Sequence, residues 1–346
     1  MIENNFYSAE NHGEYEILDL GDFKLERGGT LADAKLAYAT YGKLNASGDN
    51  AILFPVMFSG TSGSLKHYVA SGLAMDPDKY FIVIPNQLGN GLSSSPHNTP
   101  DPQSMSKFPA LAISDDVRAQ HQLCEHLGIK SIELVTGWSM GAQQTYEWAI
   151  RYPQMVKRAA PIAGTAKCTP HDALYVDVFC DALRSDPAWN NGEYTTANAV
   201  DTGLRRLANV FALMGVCTEF YKQEQWKALD FKSKEEFLTG FWQGWFAPMD
   251  PNALLAMADK WKHGDSSQPY AGDLGKTLAS IQAKTAVIAF SEDMFFPVRD
   301  CEAEQKLIPN GELHVIDTLW GHFAMLGLAE NDFKEINSIL TELLAS

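Results

Sequence analysis

The sequence predicts an α/β fold with a mostly parallel central sheet, helices on both faces and an inserted block of helices. Three observations carry this expectation. Apolar, β-branched runs alternate with longer helical patterns through the first half of the chain; strand texture disappears between about 166 and 275; and it returns before the C-terminal end. Alternation of this kind calls for a sheet covered on two sides.

Taken in order, AILFPVMF (51–58), YFIVIP (80–85) and IELVT (132–136) read as strands, and SDDVRAQHQLCEHLG (114–128) as a helix that Ser114 opens and Gly128 caps. SSSPHNTPDPQSMSKFP (93–109) is rich enough in Pro and Ser to be a long surface loop. KCTPHDALYVDVFCDALRSD, GLRRLANVFALMG, KSKEEFLTGFWQGWF and NALLAMADKW then form a helical cap. TAVIAF (285–290) and ELHVID (312–317) restore the strands, and DFKEINSILTELLA closes with apolar residues at helical spacing. The expected division is a core of residues 1–165 and 275–346 with a lid of residues 166–274. No internal repeat and no low-complexity tract interrupts it.

Composition narrows the function classes. With 45% hydrophobic and 20% charged residues, the chain of 346 residues has the make-up of a large folded domain. A formal charge of −16 disfavours nucleic acid as a partner, because such binding draws its affinity from Lys and Arg neutralising phosphates. The first twenty residues lack a basic and apolar leader, and no later run reaches the roughly 18 apolar residues of a membrane span. A cytoplasmic protein without membrane contact is expected. Five scattered cysteines, Cys124, Cys168, Cys180, Cys217 and Cys301, offer neither a disulfide framework nor zinc-ligand spacing, so no metal is expected.

The chemistry starts at Gly137-Trp138-Ser139-Met140-Gly141. This G-x-S-x-G stretch follows the strand IELVT and precedes the helical run AQQTYEWAIRY. Such a strand-to-helix turn exposes a nucleophilic serine at a helix N-terminus that favours developing negative charge. A serine hydroxyl attacks only when a base takes its proton, and the base needs a carboxylate to hold its tautomer. Both are expected on later loops, acid before base. Asp293 lies just past TAVIAF, with Glu292 as its neighbour and competitor, and His322 lies just past ELHVID. His12, His97, His121, His126 and His263 have no such placement. The amide of Met140 supplies one oxyanion donor, and the small-residue loop after AILFPVMF supplies the second, expected at Gly60 with Ser59 and Thr61 as neighbours. Leu88-Gly89-Asn90-Gly91-Leu92-Ser93 lacks the third glycine and the following helix of a dinucleotide site, and reads as a pocket-rim loop.

These residues carry a resemblance to the homoserine O-acetyltransferase group of α/β-hydrolase-fold proteins over nearly the whole chain. The matching stretches are KLAYATYGKLN (35–45), DKYFIVIPNQLGNG (78–91), FPALAISDDVRAQHQLCEHLGI (108–129), GWSMGAQQTYEWAIRYPQMVKRAAPIAG (137–164), DMFFP (293–297) and WGHFAML (320–326). The resemblance implies an α/β-hydrolase fold, a Ser139-Asp293-His322 triad that takes up an acetyl group on serine, and a homodimer built through lid helices. It requires no cofactor.

Two departures redirect the expected activity. In homoserine transacetylases an aspartate after the catalytic histidine holds the substrate ammonium; here that position is Phe323. The group's arginine and Tyr-Arg-Ser run for the substrate carboxylate is not reproduced in GLRRLANVFALMGVCTEFY (203–221), where Arg205 or Arg206 could stand in only from a shifted register. With the amino-acid acceptor site lost, water becomes the acceptor. The expected substrate is a short-chain, acetyl-type ester of a small uncharged alcohol, held by an apolar pocket that Trp138, Trp320 and Phe323 help to line, together with FWQGWFAPM (241–249) and Trp261. The alternatives are a homoserine O-acetyltransferase using acetyl-CoA and a non-hydrolysing ligand receptor on the same fold.

Overall fold

A computed structural model describes all 346 residues. Eight strands form one sheet in the order β1-β2-β4-β3-β5-β6-β7-β8. β1 (Glu16–Lys24) and β2 (Thr30–Tyr41) make an antiparallel hairpin, and β2 runs antiparallel to β4 (Phe81–Pro85). The remaining pairs, among β4, β3 (Ala51–Leu53), β5 (Ile132–Trp138), β6 (Arg158–Ile162), β7 (Lys284–Phe290) and β8 (Gly311–Ile316), are parallel. Strands covered on both faces are apolar throughout, which is why β4, β5 and β7 stand out in the sequence. β1 does not stand out, because only one of its nine residues is buried.

The strand expected over residues 51–58 stops at Leu53. The Phe54 amide still reaches Val83 O at 2.9 Å, but Pro55 has no N–H to continue the ladder. Val56 to Gly60 are thereby released from the sheet into a turn above its C-terminal edge, where ligands bind in open α/β sheets. The helix expected from Ser114 begins one residue earlier and spans Ile113–Leu127, with the Ala112 amide held by Asp115 Oδ2 at 2.8 Å and Gly128 in the left-handed C-cap conformation, φ 77°.

Between β6 and β7 the chain forms helices, the longest being Pro170–Arg184, Asp201–Met214 and Pro251–Lys262. The two ends of this insertion are pinched together: Cys168 N–H donates to Gly264 O at 2.8 Å and Ser266 N–H to Ala166 O at 3.0 Å. A fully buried ion pair ties its last long helix to the core, Lys260 Nζ to Asp116 Oδ2, and the same ammonium donates to Leu88 O at 2.9 Å. Aromatic rings fill the space beneath, with Phe179, Phe211, Phe246 and Trp261 all buried.

Two loops differ from their expected roles. The 93–109 segment is long but not a surface loop at its start: Ser93, Ser95, His97 and Thr99 are buried. Its polar residues are hydrogen-bonded inward, Ser95 Oγ donating to Ser93 O and Asn98 Nδ2 to Gly91 O. The 88–93 segment is not a rim either. Gly89, Asn90 and Gly91 are buried, and Asn90 Nδ2 donates to Gly60 O at 3.1 Å, so the loop supports the 56–60 turn from behind. No helix in the chain is long and apolar enough to cross a membrane.

Candidate active site

Ser139 sits where β5 turns into helix Met140–Arg151, with φ 59°, a left-handed conformation that serine rarely adopts. The two flanking glycines permit this turn for a steric reason. A Cβ on Gly137 would lie 2.4 Å from Gly141 O, and one on Gly141 would lie 2.5 Å from Pro55 O. The hydroxyl is therefore carried on a tight, strained elbow, and Ser139 is only 3% exposed.

Asp293 and His322 meet beside it. Asp293 Oδ1 accepts the amides of Phe295 (2.8 Å) and Phe296 (3.0 Å), which fixes the carboxylate and turns Oδ2 to the imidazole. His322 Nδ1–H donates to that oxygen at 2.8 Å. This bond selects the tautomer with Nε2 unprotonated, the form a general base needs. Glu292 is exposed and takes no part.

Ser139 and His322 both line one cavity, together with Met57, Phe58, Ser59, Trp138, Phe211, Trp245, Trp261, Phe295 and Phe323. It is small: only about 20 Å³ is open to the centre of a water-sized sphere, room for roughly one water. Eight of its eleven wall residues are hydrophobic and none is a cation or a carboxylate. The indole N–H groups of Trp138 and Trp261 have no partner in the chain.

Most of the expected site is brought together, and two positions are corrected. Gly60 is not free to serve an oxyanion, because its amide donates to Met57 O at 3.1 Å and closes the turn. The amides of Phe58 and Ser59, two positions and one position earlier, donate to nothing in the chain, and both residues line the cavity. Trp320 is not a cavity wall. Its indole packs instead on Phe220 with 4.9 Å between ring centroids. Met140 occupies the first helical position after the serine, where helix geometry leaves the N–H without an intrahelical acceptor. Arg205 pairs with Asp201 on the surface and Arg206 donates to Ser185 Oγ, so neither guanidinium serves the cavity. Phe211 and Phe295 were not legible as wall residues, since nothing separates them in sequence from ordinary core phenylalanines.

Comparison with known proteins agrees with the geometry. The alpha/beta hydrolase fold family matches residues 56–327. A solved acetylester hydrolase from Corynebacterium glutamicum superposes with a TM-score of 0.99 at 50% identity, covering 100% of both chains. An ethyl acetate hydrolase of Pseudomonas veronii is 47% identical over 345 residues, 99% of each chain. A homoserine O-acetyltransferase of Trichormus variabilis is 30% identical over 317 residues, 88% of this chain and 87% of that one. A nucleophile elbow at the C-terminal edge of a mostly parallel sheet, under inserted helices, and a family match over most of the chain lead to one assignment: the protein belongs to the α/β-hydrolase fold family, close to acetyl-ester hydrolases and more distantly related to homoserine O-acetyltransferases.

Proposed function

We propose that the protein is a serine carboxylesterase that hydrolyses acetyl esters of small uncharged alcohols. One observation carries the reading: His322, held from behind by Asp293, and the strained Ser139 line one small cavity whose other walls are almost wholly apolar. Ser139 Oγ attacks the ester carbonyl while His322 Nε2 takes its proton, and Asp293 steadies the imidazolium. The developing oxyanion is met by the Met140 amide and by the free amides of the 58–59 turn. His322 then protonates the departing alcohol, leaving acetyl-Ser139. Water, deprotonated by His322, attacks the acetyl carbonyl; acetate leaves and the proton returns to Ser139 Oγ.

Size and polarity set the substrate class. A cavity this tight disfavours a long acyl chain, and walls such as Phe211, Trp245 and Phe323 offer an alkyl group apolar contact but an ammonium no counter-charge. The relatives at 47% and 50% identity, named for ethyl acetate and acetyl esters, support this. Purified protein given p-nitrophenyl acetate or ethyl acetate should release acetate with no added acceptor. Release of free CoA from acetyl-CoA that depended on homoserine, without hydrolysis of either ester, would replace this reading with the transferase.

Exposed Leu174 and Val178 on helix Pro170–Arg184 and exposed Leu213 on helix Asp201–Met214 support a homodimer through the lid. Light scattering on the purified chain would give a monomer mass if this were wrong. A cytoplasmic location is proposed on the five unpaired thiols, which suit a reducing compartment.

A further inference from the structure

The 56–60 turn is held from behind through its carbonyls. Gln87 Nε2 donates to Val56 O at 2.7 Å and to Met57 O at 3.1 Å, and Asn90 Nδ2 donates to Gly60 O. At its apex stands Ser59, with φ 59° and a place in the cavity wall beside Ser139 and His322. A serine in this conformation is unusual, and its side chain has one defined contact. Trp245 Nε1–H donates to Ser59 Oγ at 3.0 Å.

That contact decides what the hydroxyl can do. An indole N–H only donates, so Ser59 Oγ is the acceptor in this bond and its own O–H has to point elsewhere. No group of the chain accepts it. Ser59 and Ser139 line the same cavity, so the carbonyl oxygen of an ester attacked by Ser139 is an acceptor the chain itself does not supply. Trp245 reaches this place from the lid, just beyond the π-helical turn Leu238–Gln243, a wide turn of the kind that often marks functional segments. Donation into Oγ also polarises the hydroxyl and makes its proton a stronger donor.

We propose that the Ser59 hydroxyl is a side-chain donor of the oxyanion hole, and that Trp245 is the positioning residue that aims it. The inference rests on the esterase reading and adds a residue to it. As the carbonyl becomes tetrahedral, negative charge grows on its oxygen, and a preoriented O–H in an apolar cavity stabilises that charge more than it stabilises the neutral ester. The lid thus contributes to the hole indirectly, through one hydrogen bond.

The test is steady-state hydrolysis of p-nitrophenyl acetate and ethyl acetate by the purified full chain. Ser59→Ala should lower kcat by roughly ten- to a hundredfold with KM within about twofold, the pattern of an interaction made only in the transition state. Trp245→Phe keeps the ring and removes the N–H; it should lower kcat by roughly three- to tenfold, and the double variant Ser59→Ala/Trp245→Phe should be no slower than Ser59→Ala. A small boronic acid, whose adduct on Ser139 is tetrahedral, should lose affinity in Ser59→Ala in parallel with kcat/KM. An active parent with Ser59→Ala within threefold of it, or single losses that multiply in the double variant, would overturn the inference and leave the esterase reading standing. A parent that releases no acetate would remove both.

Discussion

The ring of Phe323 stands edge-on to the indole of Trp242, with 4.8 Å between centroids and 83° between planes. It also meets Trp138 edge-on at 5.6 Å, so the residue after His322 is clamped between a lid tryptophan and the tryptophan beside Ser139. Phe323 is 8% exposed. A carboxylate at this position would lie among aromatic rings, with no cation in the cavity wall to neutralise it.

Phe323→Asp is therefore expected to lower the free energy of unfolding by at least roughly 3 kcal/mol, through lost aromatic packing and an uncompensated buried charge. Phe323→Leu, which keeps apolar volume, is expected to lose less than about 1.5 kcal/mol and to keep most of its esterase activity. Urea unfolding of the two variants checks this. Equal stability of Asp and Leu at this position would contradict the apolar account of the pocket.

Ser139→Ala is expected to lower kcat/KM for p-nitrophenyl acetate by at least about a thousandfold with the fold intact. Asp293→Asn should fall by roughly a thousand- to ten-thousandfold, because an amide facing Nδ1 no longer selects the tautomer with a free Nε2. Circular dichroism confirms folding in each case. An asparagine variant with near-parental turnover would remove Asp293 from the mechanism.

The Lys260–Asp116 pair has 0% side-chain exposure on both partners. Burial pushes the Asp116 carboxyl up to about 6 even with the ammonium beside it, and burial draws the Lys260 ammonium down from its ordinary value. Lys260→Met leaves a buried carboxyl without its counter-charge and is expected to lose about 3–5 kcal/mol of stability. Adding Asp116→Asn, which keeps an acceptor for the Leu88 amide, should recover most of that loss. Denaturant titration would speak against the pairing if the double variant were as unstable as the single one.

Burial pushes the Glu304 carboxyl up to about 8, although it accepts the Ala166 amide at 2.6 Å at the base of the lid. The unfolded chain releases this proton near 4.5. Between those two values the folded protein holds a proton that the unfolded chain has lost, so this group's contribution to stability falls as pH rises through the window. Thermal unfolding from pH 5 to 8 should show a declining Tm in the parent and a flatter profile in Glu304→Gln. Identical slopes would exclude Glu304 as the source.

Residue types alone convey the strand–helix alternation, the helical insertion, the serine elbow and the order of Asp293 before His322. These are legible because they are local: Gly137 and Gly141 bracket a turn only small residues can make, and Asp293 and His322 each follow an apolar strand run within a few residues. Which neighbouring groups are left free was not legible without the tertiary structure. Pro55 ends β3 early, so the free amides fall at Phe58 and Ser59 while that of Gly60 is used to close the turn. Trp245 bonds Ser59 across 186 residues of sequence, and Trp320 turns away from a histidine two positions on. Amide partnership and side-chain direction depend on backbone dihedrals and on surfaces brought together from distant segments, and a linear pattern of residue types encodes neither.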